Sequence, residues 1–154
     1  MKRVVLLGLT HAAALAVGFA AGIYVLPILT APQGPSAAEV QSGGGKYQGQ
    51  FRRDLKDSDP LHWGEGQVLV GSRRIALLGE IAPGPDYKLY LSPEFVETEE
   101  HFNRLKPSMA RVGDVKTFRN FVVEVPDTVD IERFDTVVVW CETFGQFITA
   151  AKYR

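Results

Sequence analysis

The stretch Asp135-Thr-Val-Val-Val-Trp-Cys-Glu142 decides the fold, because it is the most apolar strand-like segment of the chain after the N-terminal run. Side chains alternate between the two faces of a strand, so Thr136, Val138 and Trp140 share one face. The other face is equally apolar and ends at Cys141. A strand with two apolar faces is covered on both sides, which predicts a central strand and a mostly buried Cys141.

Other segments also have the composition of short strands. Gly71 at the start of a two-residue loop predicts a hairpin with a type II′ turn. Short strands separated by turn residues, among them Gly113-Asp114, are typical of an all-β antiparallel sandwich or barrel-like domain. Ser92 and Pro93 favour only a helical turn inside a long loop at residues 92–109. The predicted strands are residues 47–54, 67–70, 73–78, 87–91, 120–125, 136–141 and 146–152.

The N-terminus predicts a single transmembrane helix at residues 4–29, a run of 26 residues without formal charge. Such a run crosses the roughly 30 Å hydrocarbon core of a bilayer. It exceeds the apolar stretch of a cleavable signal peptide, which favours a signal anchor, although Ser36-Ala37-Ala38 is the alternative cleavage site. Lys2 and Arg3 place residues 1–3 in the cytoplasm. We therefore expect a single-pass protein of the bacterial inner membrane with a periplasmic or cell-surface domain.

Residues 30–45 form the expected flexible linker, because they are rich in Pro, Gly, Ser and Ala and poor in large apolar residues. The exported domain then covers residues 46–154. Gly18 and Gly22 have the small-xxx-small spacing of packed transmembrane helices, which predicts a helix-mediated dimer unless the spacing is incidental in an Ala/Gly-rich span.

Charge and motifs exclude several function classes. With 17 Lys and Arg against 18 Asp and Glu, the chain offers no basic surface for nucleic acid. It has no Gly-x-Ser-x-Gly, Walker, His-Glu-x-x-His or Cys-x-x-Cys motif, so a stand-alone enzyme is disfavoured. The aspartates at 54, 57 and 59 lack calcium-loop spacing, and no metal site is expected.

Two residues remain as candidates for redox chemistry, namely Cys141 and His62. Cys141 is the only cysteine, so it cannot form an internal disulfide. It is either a small buried hydrophobe or a candidate redox thiol. A thiolate or an imidazole can also ligate haem iron. Met109 and Tyr87 are further ligand types, but their spacing does not support them.

Several motifs in order resemble those of the DM13 domain, a small exported β-domain. They are His62 with Gly66-Gln67-Val68, Gly84-Pro85-Asp86 before Leu89-Tyr90-Leu91, and the Trp140-Cys141 strand followed by Phe144, Phe147 and Ala150. The resemblance implies a β-sandwich that acts in electron transfer or redox modification at the cell surface.

The resemblance also implies that the cysteine matching Cys141 is a bare thiol or the ligand of a group such as haem. We expect a redox or envelope protein as the partner. The alternative function is a non-catalytic envelope binding or scaffold module, in which Cys141 is structural. Such a module would present one sandwich face or the loop at residues 92–109 to its partner.

Overall fold

A computed structural model describes the whole chain, residues 1–154. A long apolar helix is followed by eight strands. One short helix lies between the long helix and the first strand, and a second short helix lies between the fourth and fifth strands. The elements are α1 (Lys2–Thr30), α2 (Ala37–Ser42), β1 (Tyr47–Phe51), β2 (Gly64–Val70), β3 (Arg74–Ile81), β4 (Tyr87–Ser92), α3 (Glu99–Leu105), β5 (Ala110–Val115), β6 (Arg119–Glu124), β7 (Thr136–Cys141) and β8 (Gln146–Lys152). Single 3₁₀ turns lie at Lys106–Ser108 and Ile131–Arg133.

The strands form two four-stranded antiparallel sheets. The first sheet has the order β1-β2-β3-β6 and the second has the order β5-β4-β7-β8. The prediction of antiparallel sheets is confirmed, and the sheets do not close into a barrel. Twenty-two buried residues from both sheets form one shared core, including Phe51, Leu77, Leu89, Val139 and Ile148. The arrangement is therefore sandwich-like.

Strand β7 lies between β4 and β8, and all six of its residues are buried. This confirms the prediction of a central strand. Val137, Val139 and Cys141 belong to the core between the sheets, whereas Val138 and Trp140 belong to a second cluster on the outer face. Adjacent residues at the end of β7 thus enter two different environments.

Helix α3 covers the outer face of the second sheet. The ring of Phe102 stacks on Trp140 with centroids 3.9 Å apart, and Tyr90 meets Phe102 edge-on. The helix begins after Thr98, whose hydroxyl accepts a hydrogen bond from His101 N at 3.2 Å. A helix thus lies within residues 92–109 as expected, but it begins after Thr98 and not at Ser92, which is the last residue of β4.

The predicted linker contains α2, and we call residues 31–45 the strap. The Ser36 side chain and Glu39 form a capping box, and Val40 is 1% exposed because it packs on Leu69 and Ala76. Asn120 Nδ2 also donates to Pro35 O at 3.0 Å. The composition favoured a flexible chain, but one capped turn and one buried valine attach the strap to the outer face of the first sheet.

Two local predictions fail for identifiable reasons. Val70 pairs with Ile75, and Gly71 N donates a hydrogen bond to Arg74 O, so the loop of the hairpin is Ser72-Arg73. A type II′ turn needs a positive φ at its first loop residue, and neither Ser72 nor Arg73 has one, so the predicted turn type is wrong. The Gly113-Asp114 turn signal lies inside strand β5, which the sequence did not predict. There Asp114 is paired with Lys88 across the sheet, and this ion pair compensates for a poor strand former.

Candidate functional site

The candidate site lies at the end of the two sheets where β7 finishes, which we call the Cys141 end. Tyr87, the first residue of β4, pairs with Cys141, the last residue of β7. The loops at residues 52–63, 82–86 and 142–145 meet there and enclose the Cys141 cavity, of about 360 Å³. It is lined by Leu61, His62, Pro83, Gly84, Pro85, Tyr87, Cys141, Phe144, Gln146 and Ile148, and by Ala20, Ile23 and Tyr24 of α1.

The Cys141 side chain is only 3% exposed and forms part of the cavity wall. Burial raises the pKa of the Cys141 thiol, and hydrogen bonds from the backbone N–H groups of Phe144 and Asp86 offset only part of that effect. The thiol is therefore protonated at neutral pH. A protonated, enclosed thiol is a weak nucleophile, so disulfide exchange is disfavoured at this site.

A polar clamp fixes the loop that follows Cys141. Asp86 O accepts a hydrogen bond from Glu142 N at 3.0 Å, and Asp86 Oδ2 accepts one from Thr143 Oγ1 at 2.9 Å. Lys88 Nζ lies 2.6 Å from Asp86 Oδ1, and this hydrogen-bonded ammonium lowers the pKa of the Asp86 carboxyl. The Gly84-Pro85-Asp86 turn therefore holds the mouth of the cavity in one conformation.

Gly84 and Tyr87 pack so closely that the glycine is required. A Cβ added at Gly84 would overlap the Tyr87 ring and hydroxyl. The Tyr87 ring meets Phe118 edge-on at 6.0 Å and is 4% exposed. Because burial raises the pKa of Tyr87, its hydroxyl stays protonated and can donate a hydrogen bond into the cavity.

His62 also lines the cavity and is oriented by Asp59. His62 Nδ1 is 2.9 Å from Asp59 Oδ2, and Asp59 Oδ1 accepts from the His62 backbone N–H at 2.8 Å. A carboxylate accepts hydrogen bonds, so the proton is on Nδ1 and the lone pair is on Nε2. In metal sites a carboxylate commonly accepts a hydrogen bond from the histidine nitrogen that does not bind the metal, and this fixes the orientation of the ring.

The structure brings the two predicted site residues, Cys141 and His62, to one cavity. Of the weaker candidates, Tyr87 lines this cavity too, whereas Met109 packs in the outer-face cluster. No group of three or more His, Cys, Asp or Glu residues could hold a metal ion. Cys141 and His62 both belong to residue types that can ligate haem iron.

Sequence reasoning missed Leu61 and Phe144, which flank the cavity, and the contribution of α1 to its wall. Leu61 belongs to no motif, and Phe144 enters only through the resemblance to DM13, which does not place it at a cavity. Their common position depends on how the loops at residues 52–63 and 142–145 close. The only local signal of Leu61 is a large apolar side chain within a polar turn.

The fold is a small β-domain of two antiparallel sheets. Its one thiol lines a cavity at the strand ends, which is a candidate ligand site. The sequence model of the DM13 family, described as electron transfer DM13, matches residues 54–153. The chain belongs to the DM13 family. No curated protein and no solved structure matches the chain.

Proposed function

We propose that this protein is a membrane-anchored electron-transfer domain in which Cys141 ligates a redox-active group. The observation that carries the proposal is that the only thiol of a DM13 domain and an oriented histidine line the same cavity. The description of the family as an electron-transfer domain supports the reaction class.

Ligation suits Cys141 better than thiol exchange does. The chain has no second cysteine to resolve a mixed disulfide, and burial raises the pKa of the Cys141 thiol. A bound metal supplies the positive charge that deprotonates a coordinating thiol, so a high pKa does not prevent ligation. A group such as haem would be held by Cys141 Sγ and His62 Nε2, and when bound it supplies one-electron chemistry.

The other cavity residues would tune and protect such a group. Pro85 and Ile148 add apolar surface to the cavity wall, and the dielectric around a redox group is a main determinant of its potential. The Tyr87 hydroxyl offers one hydrogen-bond donor. The clamp at Asp86 keeps Cys141 in place, because it holds residues 142–145 against the Gly84-Pro85-Asp86 turn.

The absorption spectrum of the full chain tests the haem assignment. The protein would be purified in detergent from an exporting host supplied with haem, and measured before and after dithionite. We expect a Soret band that shifts on reduction, disappears in Cys141→Ala and is altered in His62→Ala. Val139→Ala is the matched control, because Val139 shares the strand and face of Cys141 but lies outside the cavity, and it should keep the band.

A flat spectrum from folded protein would contradict the haem assignment. If Cys141→Ala also kept the physiological function of the protein, the envelope binding or scaffold module would be the better account. Such a module would present one sandwich face or the segment at residues 92–109, which is packed through Phe102 and would bind as a formed surface.

The location proposed for the domain is the outer side of the bacterial inner membrane. Helix α1 has 29 residues, is long and apolar enough to cross a membrane, and follows a positively charged start. Resistance to alkaline carbonate extraction, together with protease sensitivity of the domain in spheroplasts, is the expected result. Release of the chain by carbonate would contradict the anchor.

A further inference from the structure

We propose that the Cys141 end of the domain rests on the outer leaflet of the membrane, with Leu61 and Phe144 inserted at the lipid headgroup boundary. The Cys141 cavity then opens toward the membrane surface. This inference rests on the membrane anchor proposed above and is independent of the redox role of Cys141.

The strap fixes which end of the domain lies nearest the membrane. Three residues, 31–33, separate the end of α1 from Gly34, which packs so tightly on the Arg119 carbonyl that an added Cβ would overlap it. Arg119 begins β6 at the Cys141 end, and three extended residues span at most about 11 Å. The Cys141 end therefore stays close to the membrane.

The rest of the strap leads away from the membrane. Val40 packs on Leu69 and Ala76, near the far end of β2 and β3, and Gly43 reaches the side chain of Arg74 at that end. Because the strap is attached over its length, the domain cannot rotate freely about a flexible tether. The turn Ser72-Arg73 consequently points away from the membrane.

The Cys141 end also carries the only strongly exposed large apolar side chains of the domain. After α1, these are Leu61, 56% exposed, and Phe144, 48% exposed. Single exposed apolar residues are ordinary on protein surfaces. Leu61 and Phe144, however, flank one cavity beside a membrane-spanning helix. In water both side chains would stay exposed, whereas contact with the lipid would bury them.

The position of the cavity along α1 matches the headgroup level. The apolar run of residues 4–29 is longer than the about 20 residues that cross the hydrocarbon core, so with Val4 at the inner boundary Ile23 lies at the outer boundary and residues 24–29 lie in the headgroup region. Ile23 and Tyr24 line the Cys141 cavity, and tyrosine is enriched at membrane–water interfaces. Lys116 is exposed at the same end without an ion pair, where it can meet an anionic lipid phosphate.

Fluorescence quenching in nanodiscs tests the orientation on the full chain. Three single-cysteine variants, Phe144→Cys, Ser72→Cys and Val17→Cys, would be made in a Cys141→Ala background and labelled with a small fluorophore. Lipids with a nitroxide near the headgroup or along the acyl chain would quench it. A second set in a Cys141→Ser background, checked by thermal unfolding, replaces any variant that does not fold.

The label at position 144 should be quenched at least about twofold more than the label at position 72, since an interfacial side chain lies about 5–10 Å into the boundary. The label at position 17 should be quenched most strongly by the acyl-chain nitroxide. Equal, weak quenching at positions 144 and 72 with strong quenching at 17 would overturn the orientation alone. Weak quenching at position 17 would overturn the anchor and the orientation together.

Discussion

The two sides of strand β7 differ most at its last two residues. Trp140 lies on the outer face, where Phe102 of α3 stacks on it at 3.9 Å and closes the surface. Cys141 lies on the inner face and forms the wall of a cavity of about 360 Å³. Both residues are almost fully buried, yet one is enclosed by packed side chains and the other borders space that a ligand could occupy.

Within one strand, Trp140 therefore belongs to a packed cluster and Cys141 to a candidate ligand site. The aromatic cluster around Trp140 buries large surfaces and stabilises the domain, while the cavity beside Cys141 leaves the core less well filled than it could be. Substitutions on the two faces should therefore have different consequences. We expect large losses of stability at Trp140 on the outer face, and a loss of function at Cys141 on the inner face.

Trp140→Ala should have the largest effect on stability. It removes a fully buried ring and its stacking with Phe102, and we expect a loss of about 3–5 kcal/mol in the free energy of unfolding. Urea unfolding measures this directly. A loss below about 1 kcal/mol would show that α3 does not seal the outer face as described.

Gly84→Ala should have the next largest effect, because the new methyl group overlaps Tyr87. Overpacking of this kind costs about 1–3 kcal/mol. The double variant Gly84→Ala/Tyr87→Leu should recover part of the loss, since the smaller side chain frees the space. Strictly additive losses would contradict the proposed contact.

Asp86→Asn should lower stability by about 1 kcal/mol at pH 7, because it weakens the hydrogen-bonded ion pair with Lys88. Lys88 lowers the pKa of Asp86 in the folded state. Its contribution is therefore complete above the unfolded pKa of about 3.9 and is lost as the pH falls through the folded pKa. Thermal unfolding across pH 2–7 should show wild type and variant converging in acid, and a difference that grows in acid would be contrary to this account.

Cys141→Ala should have the smallest effect on stability, about 1 kcal/mol or less, because the sulfur borders a cavity that already exists. Its unfolding transition should nearly coincide with that of wild type. Val139→Ala, on the same face but inside the packed core, should lose more. A reversed order would mean that Cys141 is a packing residue.

The sequence predicts the core of the fold well where a single strand carries the signal. Both apolar faces of β7 are visible in its residues, and its bounds are as expected. Strand β5 was missed because Gly113-Asp114 resembles a turn, and only the pairing of Asp114 with Lys88 explains it as a strand. Helix α2 was missed because its stability depends on Val40 meeting a sheet that composition cannot show.

The candidate site was predicted in part. Cys141 and His62 follow from residue type and from the resemblance to DM13. Their common cavity, the orientation of His62 by Asp59 and the flanking Leu61 and Phe144 depend on three loops meeting at one end of the sheets. No local pattern encodes that meeting, since it arises from the antiparallel pairing of β4 with β7 and from the packing of the first sheet, which carries the loop at residues 52–63, against the second.

Protein-film voltammetry of the full chain, purified in detergent, tests most directly whether Cys141 ligates a redox centre. We expect a reversible wave that is lost in Cys141→Ala, shifted in His62→Ala and unchanged in Val139→Ala. The same wave in wild type and in folded Cys141→Ala would contradict it.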